Sequence, residues 1–163
     1  MRKQPQTREE RATRDFVAFT IEQVQARLTA QAARILSEDG DLTPRQWWII
    51  ADMMAEQPNT ATELAQIANI DKGLLSRNLK ALKEKGLVEM RRDPTDQRQQ
   101  IIALTEAGRR KHDDLIPVMR ARNEWLIREI GEEDLATAMD VLEKLEKATS
   151  ATSFPATSPR GDG

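Results

Sequence analysis

The sequence predicts a mainly α-helical chain with one small β-wing. Three observations predict it. Apolar residues recur at three- and four-residue spacing along most of the chain. Helix-capping side chains stand where those stretches begin. Two short runs, "LVEMR" and "IIALT", depart from that period, and they flank the turn-forming segment "RDPTDQRQ".

The bounds agree with this reading. The 163 residues suffice for one cored domain plus an oligomerisation layer. Charged residues make up 32% and the net charge is -2, so any basic surface must be local. No apolar run approaches the roughly 20 residues of a membrane helix. "MRKQPQTREERATRD" lacks the apolar core of a secretory signal, so a cytoplasmic location without membrane association is expected. Cys is absent, which excludes disulfides, thiolate metal sites and thiol redox sensing.

The elements follow in order. Residues 1–10 read as a flexible N-terminal arm. From about Arg11, Val17, Ile21, Val24, Leu28 and Ile35 form one apolar stripe, widened by Phe16 and Phe19, with Gly40 suited to the C-terminal cap. Thr43, Pro44 and Gln46 open a second helix in which Trp47, Ile50 and Met54 share a face and Trp48 points elsewhere. Thr60 and Glu63 have capping-box spacing for a short third helix with Leu64, Ala65 and Ile67 on its apolar side. Asp71 caps a fourth, which buries Leu75, Leu79 and Leu82 and ends at Gly86. Two short helices joined by a tight turn, the second basic on its outer face, read as a helix-turn-helix. A hairpin placed directly after it is a wing.

Thr105 caps a long fifth helix bearing Leu115, Met119, Arg122 and Leu126 on one face, with Ile116 and Val118 beside it and a kink expected at Pro117. Gly131 ends it, and a last helix carries Leu135, Met139, Leu142 and Leu145. The expected organisation is an N-terminal dimerisation helix over 11–42, a winged helix-turn-helix over 43–105, C-terminal dimerisation helices over 106–148 and a flexible tail over 149–163. Dimerisation is expected because the terminal stripes have little within one chain to bury against. Val17, Ile21, Leu126, Leu135, Met139 and Leu142 are the expected interface. A twofold dimer sets two recognition helices roughly 34 Å apart, one DNA turn, and so expects a pseudo-palindromic operator.

The run "LTPRQWWII", followed by "ELAQIANIDKGLLSRNLKALKEKGLVEMRRDPTDQRQQIIALTEAGR", resembles the MarR family (multiple antibiotic resistance regulators). The wing "DPTDQR" matches that family's Asp-x-Arg signature at Asp96 and Arg98, and the likeness extends over about residues 11–148. The last helix departs from the pattern, opening with "GEED" where the family often has a Ser-Pro type cap. The resemblance implies a sequence-specific double-stranded DNA-binding transcriptional regulator. Such a regulator is usually a dimeric repressor, commonly released by a small phenolic or aromatic carboxylate ligand.

DNA affinity comes mainly from neutralised phosphates and selectivity from base edges. The fourth helix offers Lys72, Ser76, Arg77 and Lys80; Arg77 suits guanine, and Asn78 or Ser76 contributes if it faces out. The helix N-terminus favours a phosphate. The resemblance makes Arg98 the side chain inserted into the minor groove, with Asp96 holding its guanidinium. Arg91 and Arg92 suit flanking phosphates. From Lys72 to Arg98 there are eight basic and four acidic residues, a local +4. A basic stripe alone is usually a solvated face, and Asp96–Arg98 alone is a surface ion pair worth about 0–1 kcal/mol. The wing and the family match favour DNA contact.

The resemblance places an effector pocket between the dimer helices and the winged module. Its candidates are Arg14, Phe16, Trp48, Asp52 and His112. Trp47 is read as core, and Trp48 is divided between core and pocket. His112 is read as a surface residue before a pH sensor or metal ligand, and no metal or cofactor is expected. A ligand-independent activator or antisilencer is the second reading. A winged-helix protein-interaction module that has lost DNA binding is the third, and the intact basic set weighs against it. No Ser/His/Asp order, phosphate loop or metal set supports an enzyme.

Overall fold

The computed structural model describes residues 16–39, 41–94 and 99–150. The expected arm, most of the expected tail, Arg14, Gly40, Asp96 and Arg98 lie outside the described residues. The elements are α1 (Val17–Asp39), α2 (Pro44–Ala55), α3 (Ala61–Ile67), α4 (Lys72–Glu84), β1 (Val88–Arg92), β2 (Gln100–Leu104), α5 (Glu106–Ile130) and α6 (Glu132–Thr149). Two compact units divide the chain between Met119 and Arg120, within α5.

In the first unit, local chemistry sets each helix start. At α2 the Thr43 side chain accepts from the Gln46 backbone N–H, and the Gln46 side chain accepts from the Thr43 N–H. Thr60 and Glu63 repeat this capping box at α3. Asp71 caps α4 by accepting from the Gly73 and Leu74 amides at 2.8 and 3.0 Å. Each cap satisfies amides that have no partner inside the helix.

The core is a single cluster. Leu36 of α1, Trp47, Ile49 and Ile50 of α2, Leu64 of α3, and Leu75, Leu79 and Leu82 of α4 are buried in it. Val88, Ile102, Leu104, Leu115 and Met119 complete it from the hairpin and α5. Ile67, expected on the apolar side of α3, is instead exposed. Seven helical residues make only two turns, and Leu64 and Ala65 already take the inward arc.

The hairpin is antiparallel, with Val88 opposite Leu104, Met90 opposite Ile102 and Arg92 opposite Gln100. Thr60 bridges to Ile101, and the Ile102 N–H donates to the Asn59 carbonyl at 3.0 Å, so β2 is fastened to the start of α3. The other end is fastened by Thr105. Its hydroxyl donates to the Gly86 carbonyl at 2.7 Å and accepts from the Gly108 N–H, while its own N–H donates to the Leu87 carbonyl. Gly86 has φ +70, a left-handed conformation open to glycine.

The α5 helix runs unbroken through Pro117, two residues before the division of the units. In the second unit α6 buries no residue. Leu135 and Leu145 are half-buried, whereas Trp125, Ile130, Met139, Val141 and Leu142 are exposed. In α1 of the first unit Val17, Ile21, Val24 and Leu28 are likewise exposed. Gly131, at φ +88, separates α5 from α6, and the missing side-chain cap there is offset by acidic residues in the first turn. Among the described residues no helix is long and apolar enough to cross a membrane.

Two expected outcomes follow from these contacts. A Cβ on Gly108 would lie 2.1 Å from the Leu87 carbonyl oxygen, a backbone atom that cannot swing aside. Gly108→Ala is expected to cost about 1–3 kcal/mol, read as a lower urea midpoint at unchanged slope. Asp41, at φ 49, accepts from the Lys85 ammonium on both its carbonyl and its carboxylate. Hydrogen bonding to Lys85, reinforced by its charge, holds the Asp41 carboxyl below its ordinary 3.8. A depressed folded-state value stabilises above the unfolded value and loses that contribution as pH falls through the folded value. The stability gap between the native chain and Asp41→Asn should therefore shrink as pH drops below about 4 in pH-dependent urea unfolding. A gap constant with pH would dismiss the interaction.

Candidate nucleic-acid interface

Leu75, Leu79 and Leu82 recur at helical spacing and face the core. The opposite arc of α4 is therefore solvent-facing, and it carries Lys72, Ser76, Arg77 and Lys80, all exposed. Among the described residues Lys72 and Arg77 form no ion pair with an acidic side chain. Lys80 lies 4.0 Å from Glu84, at the limit of a pair and with both side chains in water. Such a pair holds Lys80 weakly. An added Cβ at Gly73 would lie 3.8 Å from an Arg77 guanidinium nitrogen, so the Arg77 side chain leans back over the first turn of α4.

Two expectations about α4 change. The Asn78 amide donates to the Leu74 carbonyl of its own helix at 2.8 Å, which turns it away from the outer face. The helix N-terminus is also not open to a phosphate. The Asp71 carboxylate occupies the Gly73 and Leu74 amides, and its own negative charge would oppose a second anion there.

In the hairpin, directly opposed residues share a face, and successive residues alternate. Val88 and Leu104 are buried, so the face they define is the inward one, and Arg92 and Gln100 are its last pair. Arg91, opposite Ile101, belongs to the other face. The two arginines of "MRRD" thus point to opposite sides of the wing, and only Arg92 shares its side with Gln100. Sequence reasoning passed over Gln100. Its signal was the alternation Gln100, Ile102, Leu104, which puts it in phase with two core residues. The wing tip bearing Asp96 and Arg98 lies outside the described residues.

The effector candidates separate. Trp48 is 54% exposed, so it is not core in this chain, whereas Trp47 is 1% exposed. Asp52 is one turn along from Trp48, half-buried, and burial pushes its carboxyl up, with Glu56 adding and Arg45 opposing. Arg45, Trp48 and Asp52, at steps of three and four, share one side of α2. His112 belongs elsewhere. Its side chain is only 15% exposed, its ring stacks on Trp47 at 5.5 Å with planes 7° apart, and its Nδ1 is 3.1 Å from Asp113. The surface reading of His112 is therefore corrected. Its place in helical phase with Leu115 and Met119 brings it against α2. Phe16 is exposed at the start of α1, and Arg14 lies outside the described residues.

This arrangement is shared with known proteins. Residues 41–99 match the model of the MarR family. YwoH of Bacillus subtilis, described as an uncharacterized HTH-type transcriptional regulator, is 28% identical over 109 residues, covering 67% of this chain and 79% of the relative. NicR of Pseudomonas putida, described as an HTH-type transcriptional repressor, is 26% identical over 107 residues, covering 66% of this chain and 68% of the relative. The fold matches the transcriptional regulator PcaV of Streptomyces coelicolor with a TM-score of 0.69 at 19% identity, over 82% of this chain and 96% of that one. With the core-anchored α4 and its attached hairpin, these likenesses show a winged helix-turn-helix fold similar to that of MarR family transcriptional regulators.

Proposed function

We propose that the chain is a dimeric repressor. In this reading it holds a pseudo-palindromic operator with two copies of α4 and lets go on binding a small aromatic or phenolic carboxylate. The observation that carries the reading is the outward arc of α4, where Lys72, Ser76, Arg77 and Lys80 are exposed while the leucine stripe behind them is buried. Arg77 contacts base edges in the major groove, Ser76 bonds the backbone beside it, and Lys72, Lys80, Arg91 and Arg92 neutralise phosphates. Arg98 enters the adjacent minor groove, with Asp96 holding its guanidinium.

Dimerisation rests on the apolar side chains left in water. Val17, Ile21, Met139 and Leu142 are exposed in a single chain, and Leu126 and Leu135 are half-buried. A second copy covers such stripes economically, since each buried apolar side chain contributes about 1.5–3 kcal/mol. The repressor role is supported by the likeness to NicR, an HTH-type transcriptional repressor. The effector is supported by PcaV, which was crystallised in complex with its natural ligand. The side of α2 bearing Arg45, Trp48 and Asp52 suits such a molecule, with a cation for the carboxylate and an aromatic face for the ring.

Three outcomes are expected. The native chain prefers duplex DNA from upstream of its own gene over random DNA of equal length at near-physiological salt, by fluorescence anisotropy. Equal and salt-erased binding to both would favour the interaction-module reading. Arg98→Ala weakens operator binding by about 1–3 kcal/mol and lowers the salt slope; unchanged affinity would remove the wing from the interface. Leu142→Asp yields monomers in sedimentation velocity, because the new charge is buried unpaired at the subunit contact. In a deletion strain, derepression of the target supports the repressor, and loss of expression supports the activator alternative.

A further inference from the structure

Between α3, α4 and β2 lies an open cavity of about 210 Å3. Leu75 and Leu79 form its floor, and Thr62, Lys72, Ser76 and Gln100 supply its polar groups. Those four come from three elements whose mutual positions are set independently. Thr62 is fixed by the Thr60–Glu63 capping box, Lys72 and Ser76 by the buried leucines of α4, and Gln100 by the strand register. Among the described residues no carboxylate lines the cavity. Two hydroxyls, an ammonium and a primary amide all offer N–H or O–H donors. A base edge presents donors and acceptors together, whereas a phosphodiester presents only acceptors and a negative charge. Every one of the four can donate, and the positive charge of Lys72, with no acid among the described lining residues, favours the second.

We propose that this cavity seats one backbone phosphate of bound DNA, gripped from the helix-turn-helix side by Thr62, Lys72 and Ser76 and from the wing side by Gln100. The proposal rests on the DNA-binding reading above. Thr62 and Gln100 then become positioning residues that lock recognition helix and wing to the same phosphate. They bind without reading sequence. Because both are neutral, their contribution displaces no counterion and adds nothing to the salt dependence of binding, whereas that of Lys72 does.

The test uses the full chain and its Thr62→Val, Gln100→Ala and Lys72→Ala variants, each checked for native helicity by circular dichroism. Binding to a random-sequence duplex and to the upstream duplex is followed by anisotropy across a salt series. Thr62→Val and Gln100→Ala should each weaken binding to both duplexes alike, by roughly threefold to tenfold, the worth of a net hydrogen bond. Their salt slopes should match the native slope, while that of Lys72→Ala falls by about 0.9. Native binding with no effect of Gln100→Ala on the random duplex would overturn the proposal while leaving DNA binding intact. A loss confined to the upstream duplex would make Gln100 a base reader and overturn it as well. Saturable binding of inorganic phosphate alone, seen as shifts of the Gln100 side-chain amide in NMR, would reassign the cavity to a free anion. Failure of the native chain to bind either duplex would remove the DNA-binding reading itself.

Discussion

Burial of Leu75, Leu79 and Leu82 against Trp47, Ile50 and Leu64 is the constraint on which the rest of the module depends. A helix advances about 100° per residue, so fixing three side chains inward fixes all the others. Ser76, Arg77 and Lys80 face water because their neighbours cannot. Each buried leucine contributes about 1.5–3 kcal/mol. The exposed Lys80–Glu84 pair contributes at most about 1 kcal/mol. Apolar packing therefore sets the orientation of the outward arc of α4, and surface charge does not.

The wing inherits its orientation from the same core through a different period. Val88, Ile102 and Leu104 are buried, and alternation carries that phase out to Arg92 and Gln100. A slip of one residue would exchange Arg92 for Arg91 and move Val88 into water. The Thr60–Ile101 bridge and the paired hydrogen bonds of Thr105 hold the hairpin at both ends against that slip. The helix-turn-helix and the wing are thus two readouts of one buried cluster.

Much of this was legible in the residues. The caps at Thr43, Thr60, Asp71 and Thr105 are local chemistry within four residues, and the structure has each of them. The leucine stripe, the hairpin and the core position of Trp47 were readable for the same reason, since period and burial report on one another. What was not legible depends on contacts between elements. His112 was read as a surface residue because its neighbours Lys111, Asp113 and Asp114 are charged; its ring instead meets Trp47, 65 positions earlier in the chain. Gln100 drew no notice because one polar residue at a strand end carries no motif; only the register shows what it faces. The N-terminus of α4 looked open to an anion until Asp71, read as a cap, was seen to take up its amides.

The capping pattern has one more consequence. Each of α2, α3 and α4 begins at a residue whose side chain closes its first turn locally, so the frame of the recognition helix does not depend on the identity of its outward residues. Positions 76, 77 and 80 are free of structural duty. In the proposed reading, substitution of Arg77 would change which DNA sequence is preferred while the caps and the leucine stripe hold the scaffold still. Outward residues of α4 can therefore be exchanged at little cost to the fold.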